Sequence, residues 1–174
     1  MKKIFYSVLI ILGLSIAHNA SAQNQDILAI INSKDYSRLQ DALKNADMTE
    51  SLKEKGPYTF FAPSNLAFDK MAPETTFDEL NKPENKEKLR GMISYLILKE
   101  NLDINKISQL IKAGKGKTNL TTLENGKILV SLEGKKIKLS DERGNHAYIL
   151  GAGKKASNGT VYEIDQVLLP KKKD

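Results

Sequence analysis

Apolar residues recur at helical spacing through the first half of this chain and at alternating spacing through the second. Tyr36, Leu39 and Leu43 stand at i, i+3 and i+7. Leu89, Met92, Ile93, Leu96 and Ile97 form a second stripe, and Ile104, Ile107, Leu110 and Ile111 a third. Each stripe predicts an amphipathic helix that must bury one face. Asp35 is placed to cap the first of these helices, Pro83 suits a first helical turn, Asp103 precedes Ile104, and Gly114 follows Ala113 as a stop. Tyr58 to Ala62 is the single strand predicted in this half.

From Thr118 onward the period becomes two. Ile128, Val130 and Leu132 alternate with Leu129 and Ser131, while Ile137 and Leu139 alternate with Lys136 and Lys138. The pattern predicts a β-meander with Lys136 and Lys138 on its wet face, turning at Asn125-Gly126 and Glu133-Gly134 as two-residue turns. A strand through Ala147 to Leu150 follows Arg143-Gly144-Asn145, and Lys154 to Asn158 leads into a last hairpin. Helices first and strands second argue for an α+β fold, with helices laid over an antiparallel sheet. There is no internal repeat and no linker.

Two stretches are more specific. In Asn158-Gly159-Thr160-Val161-Tyr162-Glu163-Ile164-Asp165-Gln166-Val167-Leu168-Leu169-Pro170, an Asn-Gly turn leads into two apolar runs that read as strands, with one acid between them. In Gly56-Pro57-Tyr58-Thr59-Phe60-Phe61-Ala62-Pro63-Ser64-Asn65-Leu66-Ala67-Phe68, a buried strand runs through Ala-Pro into a capped helix. Together they resemble the closing and opening boxes of the fasciclin (FAS1) domain, about a hundred residues apart and in the family's order. Asn81 to Leu89 is similar to the family's middle helix. The resemblance covers Asp26 to Pro170 and implies a wedge of two mainly antiparallel β-sheets with a helical layer.

The same resemblance implies a role for the Tyr95-Leu96 pair, which stands where the family typically shows Tyr-His. In animal members that region has been linked to integrin-type receptor contact, so Tyr95 and Leu96 are candidate binding residues. Leu96 replaces the histidine and lies on the apolar stripe, which favours packing as its role. Asp165, if buried between apolar runs, must be hydrogen-bonded or paired. Donors near the opening box are expected to serve it, with Thr59, Ser64 and Asn65 as candidates. Asn158 and Gly159 are expected to shape the last turn.

Compartment follows from the N-terminus. Lys2 and Lys3, an apolar run from Ile4 to Ala17 and then Ala20-Ser21-Ala22 read as a secretory signal over residues 1–22, with Gln23 as the mature start. The apolar run is shorter than the roughly 20 residues a membrane span needs. Removing 22 residues from 174 leaves 152, room for a single domain over 23–170 followed by a basic tail at 171–174. The chain has no cysteine, so its stability must come from packing, and with this type of signal that suggests a bacterium. Its formal charge is +6, or +4 without Lys2 and Lys3, which favours anionic surfaces without demanding nucleic acid.

Catalytic motifs fail on context. Gly151-Ala152-Gly153-Lys154-Lys155-Ala156 fits a dinucleotide pattern, but the chain turns into a strand where a helix is required. Gly116-Lys117-Thr118 lacks the first glycine of a phosphate-binding loop, since position 111 is Ile. After signal removal His146 is the only histidine, too few for a multi-histidine metal site, and no G-x-S-x-G elbow aims a serine at it. Asp78-Glu79 and Asp141-Glu142 are sequence neighbours, unlike the spaced acid and base of a glycosidase. Asn119-Leu120-Thr121 and Asn158-Gly159-Thr160 match glycosylation acceptors, an accidental match in a bacterial protein.

The expected protein is an exported, non-catalytic binding module for adhesion or matrix contact, in the periplasm, at the cell surface or outside the cell. Its partner would be a protein or polysaccharide, with no cofactor, metal, nucleic acid or stable membrane insertion. Lys136 and Lys138 are candidate contacts for an anionic polymer. Two alternatives stay open: a periplasmic carrier of a small ligand held in an apolar pocket between helices and sheet, and a hydrolase using His146.

Overall fold

Seven strands form one continuous ladder in the order β2-β1-β7-β6-β5-β4-β3, with helices packed against both of its halves. The strands are β1 (Tyr58–Pro63), β2 (Ile97–Leu98), β3 (Lys117–Thr121), β4 (Lys127–Glu133), β5 (Lys136–Ser140), β6 (His146–Ala156) and β7 (Gly159–Ile164). The helices are α1 (Ile27–Ile30), α2 (Ser37–Asn45), α3 (Thr49–Lys53), α4 (Asn65–Asp69), α5 (Phe77–Leu80), α6 (Lys86–Tyr95) and α7 (Ile104–Ala113). This computed structural model describes residues 25–53 and 56–172. The secretory signal expected over residues 1–22 and the expected start at Gln23 lie outside the described residues, as do the last two positions of the expected basic tail.

The wedge arises on β6. Its first residues pair with β5, ending at Lys138 opposite Tyr148, and its later residues pair with β7, from Ile149 opposite Ile164 to Ala156 opposite Gly159. A register shift between Leu150 and Lys154 bends the strand, with Gly151 and Gly153 at positive φ. One strand therefore serves two half-sheets. Pairing is antiparallel except for β1 beside β7.

Burial follows the expected stripes. Leu39, Ala42 and Leu43 of α2 are buried, as are Leu89, Met92 and Ile93 of α6 and Ile107 and Ile111 of α7. Helix α7 packs on β3 and β4, whose Leu120, Ile128 and Val130 point inward. Each such side chain stabilises by about 1.5–3 kcal/mol. Asp103 caps α7 by accepting from the Lys106 N–H at 2.8 Å, and Gly114 follows the helix.

Several local expectations are corrected. Asp35 does not cap α2: it lies inside a 3₁₀ turn, Lys34–Tyr36, and the helix has no cap from its own N-cap side chain. The stripe through Leu96 and Ile97 outlasts α6, which ends at Tyr95, because Ile97 enters β2 opposite Phe60. Of the two apolar runs in the closing box only the first is a strand; Val167 and Leu168 are buried in irregular backbone. The turns also shift. Ladder register makes Gly134-Lys135 the two-residue turn, with Gly134 at φ 61, while β3 and β4 are joined by a longer loop in which Asn125 has φ 65. Ala156 faces Gly159, so the last turn is Ser157-Asn158, and neither Asn158 nor Gly159 adopts positive φ.

Candidate functional site

Residues expected near the opening box have partners of their own. The Thr59 hydroxyl, fully buried, donates to the Glu100 carbonyl at 2.6 Å and accepts from the Leu102 N–H at 2.9 Å. Ser64 precedes α4 without a side-chain cap bond. Asn65 caps α2 from outside: its Oδ1 accepts from the Arg38 N–H at 3.1 Å, and its Nδ2 donates to the Lys34 carbonyl and Ser37 Oγ. That contact replaces the cap expected from Asp35. Asp165 is half-buried and turns away from all three, accepting from the Tyr148 N–H at 2.7 Å. The reason is register, since the end of β7 brings Asp165 beside β6.

Asn158 works through its side chain. Its Oδ1 accepts from the Ile27 N–H at 2.9 Å and its Nδ2 donates to the Leu52 carbonyl at 2.9 Å, tying the last turn to α1 and α3. Gly159 lies against β1, where a Cβ would meet the Tyr58 carbonyl oxygen at 2.2 Å. Close approach of the two parallel strands, not turn conformation, requires glycine there.

Tyr95 and Leu96 are both fully buried, which corrects their candidacy as contact residues. The Tyr95 hydroxyl donates to the Lys127 carbonyl at 2.7 Å and accepts from the Glu142 N–H at 3.3 Å. Burial pushes its phenol well above the ordinary range, and the nearby acids Glu142, Asp141 and Glu124 add to the shift. The ring also packs on Gly126, where a Cβ would come within 2.6 Å of it. Tyr95 thus joins α6 to two loops of the meander, and no partner can touch it on the surface.

The outer face of β3 to β6 is different. Strand alternation turns Lys117, Ser131, Lys138 and Tyr148 outward in one cross-strand row, with Glu133 and Lys136 paired beside them. Lys138 Nζ lies 3.5 Å from the Glu133 carboxylate, Lys136 Nζ lies 5.5 Å above the Tyr148 ring, and the Tyr148 hydroxyl donates to Glu133. That hydroxyl holds the Glu133 carboxyl below its usual range, with Lys138 contributing, while the bond raises Tyr148. Sequence reasoning named the two lysines and missed Tyr148, although the alternation from Ala147 to Leu150 already places it on their face.

His146 is exposed on the same face, its ring edge-on to Tyr148 at 6.2 Å, and stands opposite Ser140 with no hydrogen bond between the two side chains. Among the described residues no group of three or more His, Cys, Asp or Glu side chains could hold a metal ion. Among them, too, no helix is long and apolar enough to cross a membrane.

Comparison with known proteins agrees with this architecture. A family model described as the fasciclin domain matches residues 34–170. The chain belongs to the fasciclin family. It is 34% identical over 139 residues to Protein sll1483 of Synechocystis sp., covering 78% of this chain and 67% of that protein. It is 32% identical over 136 residues to the transforming growth factor-beta-induced protein ig-h3 of Oryctolagus cuniculus, covering 78% of this chain but 18% of that one. Immunogenic protein MPB70 of Mycobacterium bovis is 34% identical over 115 residues, covering 66% of this chain and 51% of that one. Among solved structures, the FAS1 domain pair of the insect cell adhesion molecule Fasciclin I superposes with a TM-score of 0.59 at 23% identity, over 75% of this chain and 43% of that one. The chain therefore shares the fold of that FAS1 domain pair, and it spans from two thirds to less than a fifth of these curated relatives' lengths.

Proposed function

We propose that this fasciclin domain is an exported, non-catalytic binding module that contacts an anionic polymer at a cell surface or in a matrix through the outer face of β3 to β6. The observation that carries the reading is the asymmetry of the sheet. Helix α7 covers the inner face over β3 and β4, whereas the outer face is left open and displays Lys117, Lys136, Lys138 and the Tyr148 ring. Lysines recruit anionic groups, and an exposed tyrosine ring offers a flat face to a sugar. The adhesion role named for Fasciclin I supports the class of function. The signal-like pattern of Lys2, Lys3, the apolar run and Ala20-Ser21-Ala22 supports the compartment.

Exposed charges more than about 8 Å apart are largely screened at physiological salt, so contact through this face weakens as salt rises. The test is retention on an acidic polysaccharide matrix across a salt series, for the parent and for Lys136→Glu with Lys138→Glu. Salt-dependent retention that the double variant loses is expected. Equal retention of both proteins rejects the face.

One observation favours a second reading, the carrier of a small apolar ligand. Where β5 and β6 part, Leu132 and Leu150 are exposed, at 45% and 44%, and with Ile104, Ile137 and Ile149 they line a cleft of about 500 Å³. The cleft lies between α7 and the sheet. Extraction of the exported protein with organic solvent, followed by mass spectrometry, decides between the readings: a stoichiometric apolar molecule supports the carrier.

A further inference from the structure

We propose that a second surface, the groove between the α4 end and the closing segment, docks an acidic peptide segment bearing apolar side chains. The groove encloses about 550 Å³. Lys70, Arg143, Lys171 and Lys172 rim it, and Met71, Val167 and Leu169 lie along its floor. It rests on the binding-module reading but uses residues separate from the sheet face.

The rim charges are held in place without being cancelled. Lys70 Nζ donates to the Asp165 carbonyl at 3.0 Å, and Arg143 Nε donates to the Pro170 carbonyl at 2.6 Å. Both acceptors are neutral main-chain oxygens. Among the described residues the ion pairs lie elsewhere, at Arg38–Asp69, Lys53–Glu50, Lys82–Glu79, Lys86–Asp47 and Lys138–Glu133. The Nε bond orients the Arg143 guanidinium and leaves its two terminal nitrogens for a carboxylate, which they can grip in bidentate fashion. One carboxylate, Glu142, lines the groove, and its Oε2 approaches Gly126 on the Tyr95 side.

Charge complementarity therefore selects an anion, and the floor selects its body. Met71, Val167 and Leu169 suit aliphatic side chains, and no aromatic ring lines the groove on which a sugar could stack. Arginine with several lysines around a small apolar floor matches a run in which Asp or Glu alternates with Leu or Val. The sheet face, with its tyrosine, has the opposite character.

The experiment is fluorescence anisotropy of full-length exported protein with the labelled peptide Gly-Ser-Glu-Leu-Glu-Val-Glu-Leu-Gly-Ser. Two control peptides replace either every Glu by Gln or every Leu and Val by Gly. Saturable binding is expected for the parent peptide, with both controls weaker by about tenfold or more. Lys171→Glu with Lys172→Glu removes no side-chain hydrogen bond among the described residues and is expected to weaken binding by a similar factor. Lys70→Glu should do the same, while Lys136→Glu with Lys138→Glu should leave peptide binding unchanged. Absent binding, binding indifferent to Lys171 and Lys172, or equal binding of the glycine control overturns the proposal. So does retention on acidic polysaccharide that depends on Lys171 and Lys172 when the peptide is not bound. If polysaccharide retention fails but the peptide binds, the sheet-face reading falls and the groove stands.

Discussion

The Asp165 carboxylate extends the β6–β7 ladder by one rung: its Oδ1 accepts from the Tyr148 N–H at 2.7 Å, while the Asp165 N–H donates to the Tyr148 carbonyl at 3.3 Å. Tyr148 is also the last residue of β6 in register with β5, opposite Lys138. The carboxylate thus satisfies the backbone where the two half-sheets part, and a side chain does what a strand carbonyl does elsewhere in the ladder. Because Tyr148 also carries the outer-face contacts to Lys136 and Glu133, the junction orients the proposed binding face.

Asp165→Ala is expected to strand the Tyr148 N–H and destabilise the domain by about 1–3 kcal/mol. Asp165→Asn keeps a carbonyl oxygen and should recover most of that loss. Urea unfolding of the three proteins checks it; equal midpoints would show that water satisfies the N–H as well as the carboxylate does.

Tyr95→Phe keeps the ring against Gly126 but leaves the Lys127 carbonyl and the Glu142 N–H without the hydroxyl. The expected cost is about 1–3 kcal/mol. Leu96→His places an imidazole in a site with no exposure and should destabilise without any gain in adhesion. Thermal unfolding and a cell-attachment assay test the pair, and a stable Leu96→His protein with stronger attachment would contradict the buried geometry.

Periodicity was enough to read the longer elements, because burial repeats at fixed intervals in a helix or strand, but the short α1, α3, α5 and β2 carry too few residues to show a period. The stripes of α2, α6 and α7 and the alternation of β4 and β5 are direct examples. What stayed hidden were contacts between residues distant in sequence. Asn65 capping α2, Asn158 reaching Ile27 and Leu52, and Asp165 meeting Tyr148 span 27, 131, 106 and 17 positions, and no local pattern encodes them. Asn158-Gly159 misled because the dipeptide matches a common turn, whereas here the Asn158 side chain ties the turn to α1 and α3 and Gly159 allows β1 and β7 to approach. Lys70 and Arg143 gave no signal at all, since their proximity depends on where the closing segment comes to lie.

Gly159→Ala should be more damaging than its small volume suggests. The added methyl would sit 2.2 Å from the Tyr58 carbonyl oxygen, a backbone atom that can move only if β1 and β7 separate. Overpacking of this type costs about 1–3 kcal/mol. Gly134→Ala serves as the comparison, because that glycine has positive φ but open space around its Cβ position, so its strain is conformational alone. Denaturant midpoints for both, together with hydrogen exchange in β1, distinguish strand separation from local turn strain; unchanged β1 protection in Gly159→Ala would rule out the steric account.

Alkaline stability should track buried phenols. Burial raises Tyr162 to about 12, with Asp103 contributing, and burial together with Glu163 raises Tyr36 to about 12. A phenol whose folded pKa exceeds its unfolded value near 10 holds its proton more tightly in the native state. Its stabilising contribution is complete below pH 10 and is lost as pH climbs from 10 toward 12, because the unfolded chain releases the proton first. The Tyr162 hydroxyl donates to the buried Leu102 carbonyl at 3.0 Å, so ionisation also breaks a bond that ties β7 to the segment before α7. Tyr162→Phe should therefore be less stable than the parent at neutral pH yet lose stability less steeply above pH 10. Urea midpoints from pH 8 to 11 for both proteins measure the slopes, and tyrosinate absorbance follows the ionisation directly. Lysines titrate in the same window in both proteins, so only the difference between the two curves carries the phenol's contribution. Parallel curves would show that Tyr162 ionises no later in the folded domain than in the unfolded chain.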